Sequence, residues 1–120
     1  MKVLIADRSL QIVRRLEEML LGTLTDLEVC STCSYQQCKQ YLHEQQPNVV
    51  LLGISLPEEE CLQLLAAIKK TAQKITVIVL SANTNPLFQE QCRALGVHYF
   101  LDKYYEFEKI PDLINDIGTR

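Results

Sequence analysis

The chain has 120 residues, of which 48% are hydrophobic and 22% are charged, so we expect one globular domain over residues 1–120. The formal net charge is −3 and the basic residues are scattered, which argues against nucleic acid as a partner. No apolar run approaches the ~20 residues that span a bilayer, so no membrane partner is expected. The five cysteines are odd in number and unevenly spaced, which favours a reducing cytoplasmic location over a disulfide framework.

The start of the sequence predicts two strands on either side of one helix. Val3–Ala6 is a short apolar run that predicts a strand. Ser9 is placed to cap the following helix, whose apolar residues recur at helical spacing as far as Leu20, and Gly22 is placed to end it. Leu27–Ser31 predicts a weaker strand nearer the edge of a sheet.

The middle of the sequence contains the strand around which the chain is organised. A second helix begins at a capping box formed by Ser34 and Gln37 and ends before Pro47. Val49–Leu52 then runs apolar without alternation, which is typical of a strand buried on both faces of a parallel sheet. Gly53 ends this run and brings no side chain to the place where α/β sheets usually build a site.

The third helix and the fourth strand follow a proline. The helical pattern begins after Pro57 with three glutamates at residues 58–60, where a helix N-terminus favours negative charge. Ile75–Leu80 is an unbroken and largely β-branched run that predicts the fourth strand. Ser81 ends this strand and places a hydroxyl at its carboxyl end.

The last part of the sequence predicts a helix, a short strand and a final helix. Asn85 as the N-cap and Pro86 at the first helical position open the fourth helix, and Gly96 closes it. His98–Leu101 predicts a short fifth strand that is rich in aromatic residues. An apolar stripe that begins at Ile110 predicts the fifth helix.

Five strands that alternate with five helices predict an α/β fold with a doubly wound, five-stranded parallel sheet. The helices are expected on both faces of the sheet, because short connections join the elements throughout. The carboxyl ends of parallel strands meet at one edge, where ligand sites are usually built. We therefore expect four residues to lie together there: Asp7, Gly53, Ser81 and Lys103.

Several short motifs occur in an order that carries a family resemblance. They are Leu4–Asp7, Pro47–Leu52, Leu56 with Pro57, Val77–Ala82, and Ala94–Gly96 followed by Lys103. Together they resemble the bacterial response-regulator receiver domain, with its flavodoxin-like, CheY-like fold, over the whole chain. The stretch from Tyr99 to Pro111 is similar to stand-alone receivers that lack an output domain. The resemblance implies a signalling module of a two-component or phosphorelay system.

The resemblance also implies a phosphorylation pocket at the strand ends. In the family, two acids on the first strand hold Mg²⁺, a central aspartate accepts the phosphoryl group, and a hydroxyl and a lysine hold its oxygens. Asp7 matches the first acid, Ser81 the hydroxyl and Lys103 the lysine. Phe100 matches the aromatic residue that takes part in the family's switch between two states.

Three residues depart from the family pattern in the same pocket. Arg8 occupies the position of the second acid, Gly53 that of the phosphoacceptor, and Cys61 a position that is usually glycine in the family. An ordinary site with three carboxylates and one ammonium has a formal charge of −2, whereas one carboxylate, Asp7, against Arg8 and Lys103 gives +1. The sequence therefore predicts a vestigial pocket that has no nucleophile, no metal, no cofactor and no enzymatic activity.

Three alternatives remain open from the sequence. A single base separates glycine and aspartate codons, so a change introduced at Gly53 would hide a conventional phosphoacceptor, although Arg8 is an independent loss. Another acid could take the phosphoryl group, and Glu58 is the nearest in sequence. A small-anion sensor could instead use Arg8, Ser81 and Lys103.

Aromatic residues near the C-terminus predict a protein interface. Tyr99, Tyr104, Tyr105 and Phe107 lie close together in sequence, and tyrosine is enriched at protein interfaces. By the resemblance they belong to the face formed by the fourth helix, the fifth strand and the fifth helix, which receivers use for dimers and partners. The expected partner is a histidine kinase, another receiver or an output protein, and a homodimer through this face is the alternative.

Overall fold

Five parallel strands form one sheet in the computed structural model, which describes residues 1–54, 58–71, 74–82 and 85–119. The strands are β1 (Lys2–Ala6), β2 (Glu28–Thr32), β3 (Val49–Ile54), β4 (Thr76–Ser81) and β5 (Tyr99–Asp102). Their order in the sheet is β2-β1-β3-β4-β5, so β3 is central and β2 and β5 are the edges. The predicted strands are confirmed, with β2, β4 and β5 each lying one residue further along the chain than expected.

Five helices alternate with the strands, which confirms the predicted α/β architecture. They are α1 (Leu10–Thr23), α2 (Tyr35–Glu44), α3 (Glu58–Lys69), α4 (Pro86–Ala94) and α5 (Ile110–Gly118), and a short 3₁₀ turn over Phe107–Lys109 leads into α5. The motif residues Leu56 and Pro57 lie outside the described residues.

The sheet separates two hydrophobic layers. Side chains alternate along β3, so Val50 and Leu52 join the layer under α2, α3 and α4, while Val49 and Leu51 join the layer under α1 and α5. All four side chains are fully buried, which explains why this strand is apolar without alternation.

The end of α1 differs from its prediction. Gly22 lies inside the last turn, the helix continues to Thr23, and Leu24 is the C-cap, with its N–H donating to the carbonyl of Leu20. Leu24 adopts an extended backbone and packs against the α1–α5 layer. The helix therefore ends where this apolar side chain turns back to the core, and the predicted cap at Gly22 is wrong.

Other helix ends follow the local chemistry of the sequence. Gly96 follows α4 with a φ of +91°, a left-handed conformation that glycine adopts without steric cost. The Ser34 hydroxyl accepts the N–H of Gln37 at the start of α2, as expected. The reciprocal half of the predicted capping box is replaced, because the Ser34 N–H donates to the Thr32 hydroxyl and the Gln37 side chain also bonds that hydroxyl.

Candidate functional site

The carboxyl ends of the strands bring four of the sequence-predicted site residues together. Asp7 follows β1, Gly53 lies near the end of β3, Ser81 ends β4 and Lys103 follows β5. The Lys103 N–H donates to the Ser81 carbonyl at 3.1 Å, which fixes the lysine beside β4. All four residues are buried, and the two charged side chains are 0% exposed for Asp7 and 7% for Lys103.

Asp7 and Lys103 form a buried ion pair at this edge. The Lys103 Nζ lies 2.9 Å from Asp7 Oδ2. The other carboxylate oxygen of Asp7 accepts the N–H of Ser9 at 2.8 Å, in the loop that leads into α1. The Asp7 N–H donates to the carbonyl of Thr32 on the neighbouring strand, so backbone contacts on both sides hold the residue. Each charge thus neutralises the other, as the low-dielectric interior requires.

The Asp7 carboxylate occupies the space into which a side chain at position 53 would extend. A Cβ added to Gly53 would lie 2.5 Å from Asp7 Cγ and 2.9 Å from Asp7 Cβ, with Oδ2 closer still. Cβ atoms essentially never approach other heavy atoms so closely. The backbone of Gly53 is not in the left-handed conformation, and within β3 this residue pairs with Leu80 of β4. The Asp7 side chain, and not the backbone conformation of Gly53, is therefore what a larger residue here would have to displace.

Tyr35 covers Gly53 from the side of α2. Its hydroxyl donates to the Gly53 carbonyl at 2.6 Å, and the buried thiol of Cys61 lies 3.8 Å from the same hydroxyl oxygen. Cys61 therefore packs between α3 and α2. Sequence reasoning missed Tyr35, although it starts the apolar stripe of α2 that continues with Cys38 and Leu42.

Arg8 does not enter the buried site. Its side chain is exposed and lines a hollow of about 430 Å³ at the surface, together with Ser34, Lys39 and Glu60. The formal charge of +1 expected from the sequence counted Arg8 with Asp7 and Lys103. The buried centre itself contains one carboxylate and one ammonium, so its formal charge is zero when the exposed Arg8 is not counted.

The residues at this edge do not fit a magnesium ion. Mg²⁺ requires about six oxygen ligands in near-octahedral geometry, usually including carboxylates. Asp7 is already paired with Lys103, position 8 carries a guanidinium and Gly53 offers no carboxylate. Within the described ranges there is no cluster of three His, Cys, Asp or Glu side chains that could hold a metal ion.

Phe100 lies on β5 with its ring packed against α4. Its centroid is 6.2 Å from that of Phe88, with the two rings nearly perpendicular at 79°. This edge-to-face contact is a favourable aromatic geometry. Tyr99, the preceding residue, points to the other face of the sheet and is half-buried against the α1–α5 layer.

The residues expected at the aromatic interface divide into exposed and buried ones. Tyr104 is 73% exposed and Tyr105 is 89% exposed. Both N–H groups donate to one carboxylate oxygen of Asp102, at 2.8 and 2.9 Å, which fixes the turn that presents the two rings. Phe107 is buried, with the Arg15 guanidinium 4.7 Å above its ring, so its assignment to the interface is corrected.

The sequence model of the response regulator receiver domain matches residues 3–115, which is nearly the whole chain. The chain belongs to this family. Members are the receiver modules of two-component signalling, where they interact with proteins such as kinases and output domains. In the part of the chain described here, no helix is long and apolar enough to cross a membrane.

Solved receiver structures are similar to this chain in fold. The signal receiver domain of the DNA-binding response regulator merR from Colwellia psychrerythraea 34H superposes with a TM-score of 0.89 at 18% identity, covering 99% of this chain and 98% of that one. A LuxR-family DNA-binding response regulator from Staphylococcus aureus gives 0.84 at 23% identity and 98% coverage of both chains. The chemotaxis protein CheY4 of Vibrio cholerae gives 0.84 at 18% identity and 97% coverage of both. These likenesses show the receiver fold.

Proposed function

We propose that this receiver is a signalling module that is not phosphorylated and that acts by protein contact. The observation that carries the proposal is the position of the Asp7 carboxylate, which fills the space beside Gly53 and pairs with Lys103. The carboxylate of Asp7 thus lies where the side chain of a phosphoacceptor at position 53 would extend. We place the module in the cytoplasm, as its cysteine usage suggests.

Phosphoryl transfer needs a nucleophile and a free lysine at this edge, and here the nucleophile is missing and the lysine is occupied. A covalent phosphoryl acceptor needs a nucleophilic side chain, and Gly53 has none. The lysine that would hold a phosphoryl oxygen already holds the Asp7 carboxylate at 2.9 Å. A protein without these groups has no reaction to catalyse here, so we do not regard it as an enzyme.

A module of this kind works in one state. A ligand shifts a conformational equilibrium only through a difference in its affinity for the two states. Without a phosphoryl group, no described residue at the strand ends favours a second arrangement of Ser81 or of Phe100, whose ring packs against Phe88. The surface that contacts the partner is then presented permanently, and association follows the amount of protein.

The contact surface that we propose is the turn after β5. Tyr104 and Tyr105 project into solvent from a turn fixed by Asp102, and large exposed aromatic side chains favour interfaces. The partner is a histidine kinase, another receiver or an output protein. A second copy of this chain, joined through the face formed by α4, β5 and α5, is the alternative partner.

The buried ion pair also weighs against the other sequence-based functions. A small-anion sensor needs Lys103 and Arg8 to face one ligand, yet Lys103 is buried against Asp7 and Arg8 is exposed at the rim. A conventional phosphoacceptor hidden by a change at Gly53 is disfavoured because the Asp7 side chain fits the space that this glycine leaves. The side chain of Glu58, the other proposed acceptor, lies outside the description.

Beryllofluoride with Mg²⁺, a mimic of the bound phosphoryl group, tests the proposal. We expect no change in the amide NMR spectrum at Asp7, Ser81 or Phe100. The double variant Gly53→Asp with Arg8→Asp, which rebuilds three acids around the lysine, is the positive control and is expected to respond. Saturable shifts at these amides in the unaltered protein would overturn the proposal.

A further inference from the structure

A second hollow, of about 400 Å³, lies at the amino ends of the strands, opposite the carboxyl ends that carry the first site. It is formed where α3 ends, β4 begins and the connection from α4 reaches β5. Its apolar wall is made by Ile68, Ile75 and Leu95, and the volume is within the range of small-molecule pockets, about 300–1,000 Å³. The strand ends that carry Asp7 and Lys103 are at the other edge, so this hollow is separate from the vestigial phosphorylation pocket.

His98 lines this hollow, and one of its two ring nitrogens is already bonded to the backbone. The backbone N–H of Val77 donates to the ring nitrogen His98 Nδ1 at 3.1 Å. The backbone N–H of His98 donates to the Val77 carbonyl at 3.0 Å. A nitrogen that accepts a hydrogen bond carries no proton, so the proton of the neutral ring is on Nε2. The side chain is exposed and lines the hollow, so Nε2–H is the ring donor that remains for a ligand.

The charge of the hollow is positive. Lys69 and Lys74 both line it, and none of its described lining residues carries a carboxylate. Lys69 donates to the carbonyl of Ala94 at the end of α4, at 3.0 Å. Lys74 is exposed and makes no ion pair or hydrogen bond with a described residue. Lys74 and His98 are thus two donors beside an apolar wall, with no acid of the described wall to satisfy them.

We propose that this hollow binds a small amphipathic carboxylate. The carboxylate accepts from the Lys74 ammonium and from His98 Nε2–H, and the apolar body of the ligand lies against Ile68 and Leu95. Charge complementarity selects an anion, because Lys69 and Lys74 line this hollow and none of its described lining residues is an acid. None of these residues belongs to the site on which the proposed absence of phosphorylation depends.

Titration of the ¹⁵N-labelled protein with hexanoate, followed by amide NMR shifts, tests this site. We expect saturable shifts at Val77, Gly96 and His98 and none at Asp7. Hexanol and hexylamine, which share the apolar body, are expected to bind at least about tenfold more weakly, the value of one charge-assisted hydrogen bond. Lys74→Gln is expected to weaken hexanoate binding by a similar factor.

Two further variants separate ligand contacts from structural effects. Lys70→Gln removes a neighbouring exposed lysine that does not line the hollow, and we expect it to bind hexanoate normally. His98→Asn keeps an acceptor near the Val77 N–H but removes the Nε2–H donor, so it is expected to fold and to bind more weakly. The proposal is overturned if hexanol shifts the same amides equally, if Lys74→Gln binds no worse than Lys70→Gln, or if no saturable shifts occur.

Discussion

The Asp7 carboxylate and the Lys103 ammonium lie 2.9 Å apart in the interior of the protein, and each is the buried counter-charge of the other. Removing one partner of such a pair leaves an uncompensated charge, which typically costs about 3–5 kcal/mol. We expect Lys103→Met to lower the free energy of unfolding by that amount in a urea titration. Lys109→Met is the matched control, because its ion pair with Glu106 is at the surface and is worth about 0–1 kcal/mol. Equal losses in the two variants would contradict the buried pair.

The fit of Asp7 beside Gly53 makes a second quantitative prediction. Gly53→Ala places a methyl group against the carboxylate, and overpacking of this kind costs about 1–3 kcal/mol. The cost should be smaller in an Asp7→Ala background, which a double-mutant cycle of unfolding free energies measures. Gly22→Ala is the control, since nothing lies within 4 Å of its added Cβ and helix propensity favours alanine. Additive effects of the Gly53 and Asp7 changes would show that the two positions do not compete for space.

The course of the chain could be predicted from the sequence because hydrophobic period and topology determine it. Once Val49–Leu52 is a buried parallel strand, its neighbours and short connections leave few arrangements, and the strand ends must meet at one edge. Asp7, Gly53, Ser81 and Lys103 were therefore brought together from their sequence positions alone.

The direction of individual side chains could not be predicted in the same way. Arg8 and Asp7 are adjacent in sequence, yet one is exposed and the other buried, because β1 ends there and the loop turns away. Phe107 is buried because the 3₁₀ turn returns the chain to α1, where Arg15 covers the ring. Residues 99–107 include five aromatic residues, and no periodicity among them distinguishes that ring from the exposed Tyr104.

The exposed tyrosines and the buried phenylalanine should respond differently to substitution. Replacing Tyr104 and Tyr105 together by serine should weaken self-association or partner binding and leave the melting temperature nearly unchanged, because both rings are in solvent. Sedimentation velocity tests the homodimer, and a pull-down with a histidine kinase tests the kinase partner. Phe107→Ala should instead destabilise the fold by about 3–5 kcal/mol. If the double tyrosine variant changes neither assay, the contact surface is elsewhere.

The buried thiol of Cys38 should make stability depend on alkaline pH. Burial, with a smaller contribution from nearby Cys30, raises the pKa of Cys38 from 9.0 to about 12. Between these values the unfolded chain loses this proton and the folded chain keeps it, so the free energy of unfolding falls as pH rises. Cys38→Val should show a shallower fall between pH 8 and pH 10 than the unaltered protein. Cys33→Ser, at an exposed cysteine, should leave the slope as it is, and equal slopes in all three proteins would contradict the shift.

Rebuilding the acceptor should require more than one change. Gly53→Asp alone adds a carboxylate that competes with Asp7 for space and for Lys103, and Arg8 still stands at the second acid. Adding Arg8→Asp supplies the second acid, so the double variant should take up phosphoryl groups from acetyl phosphate faster than the single one. If the single variant is phosphorylated as readily as the double, the argument from Arg8 is wrong.

The most direct test of the account is the intact mass of the unaltered protein after incubation with acetyl phosphate and Mg²⁺. Because Gly53 offers no nucleophile and Lys103 is held by Asp7, we expect the mass to remain that of the unmodified chain. The double variant Gly53→Asp with Arg8→Asp, treated in parallel, shows that the phosphodonor is active. An adduct of one phosphoryl group in good yield on the unaltered protein would contradict the central claim.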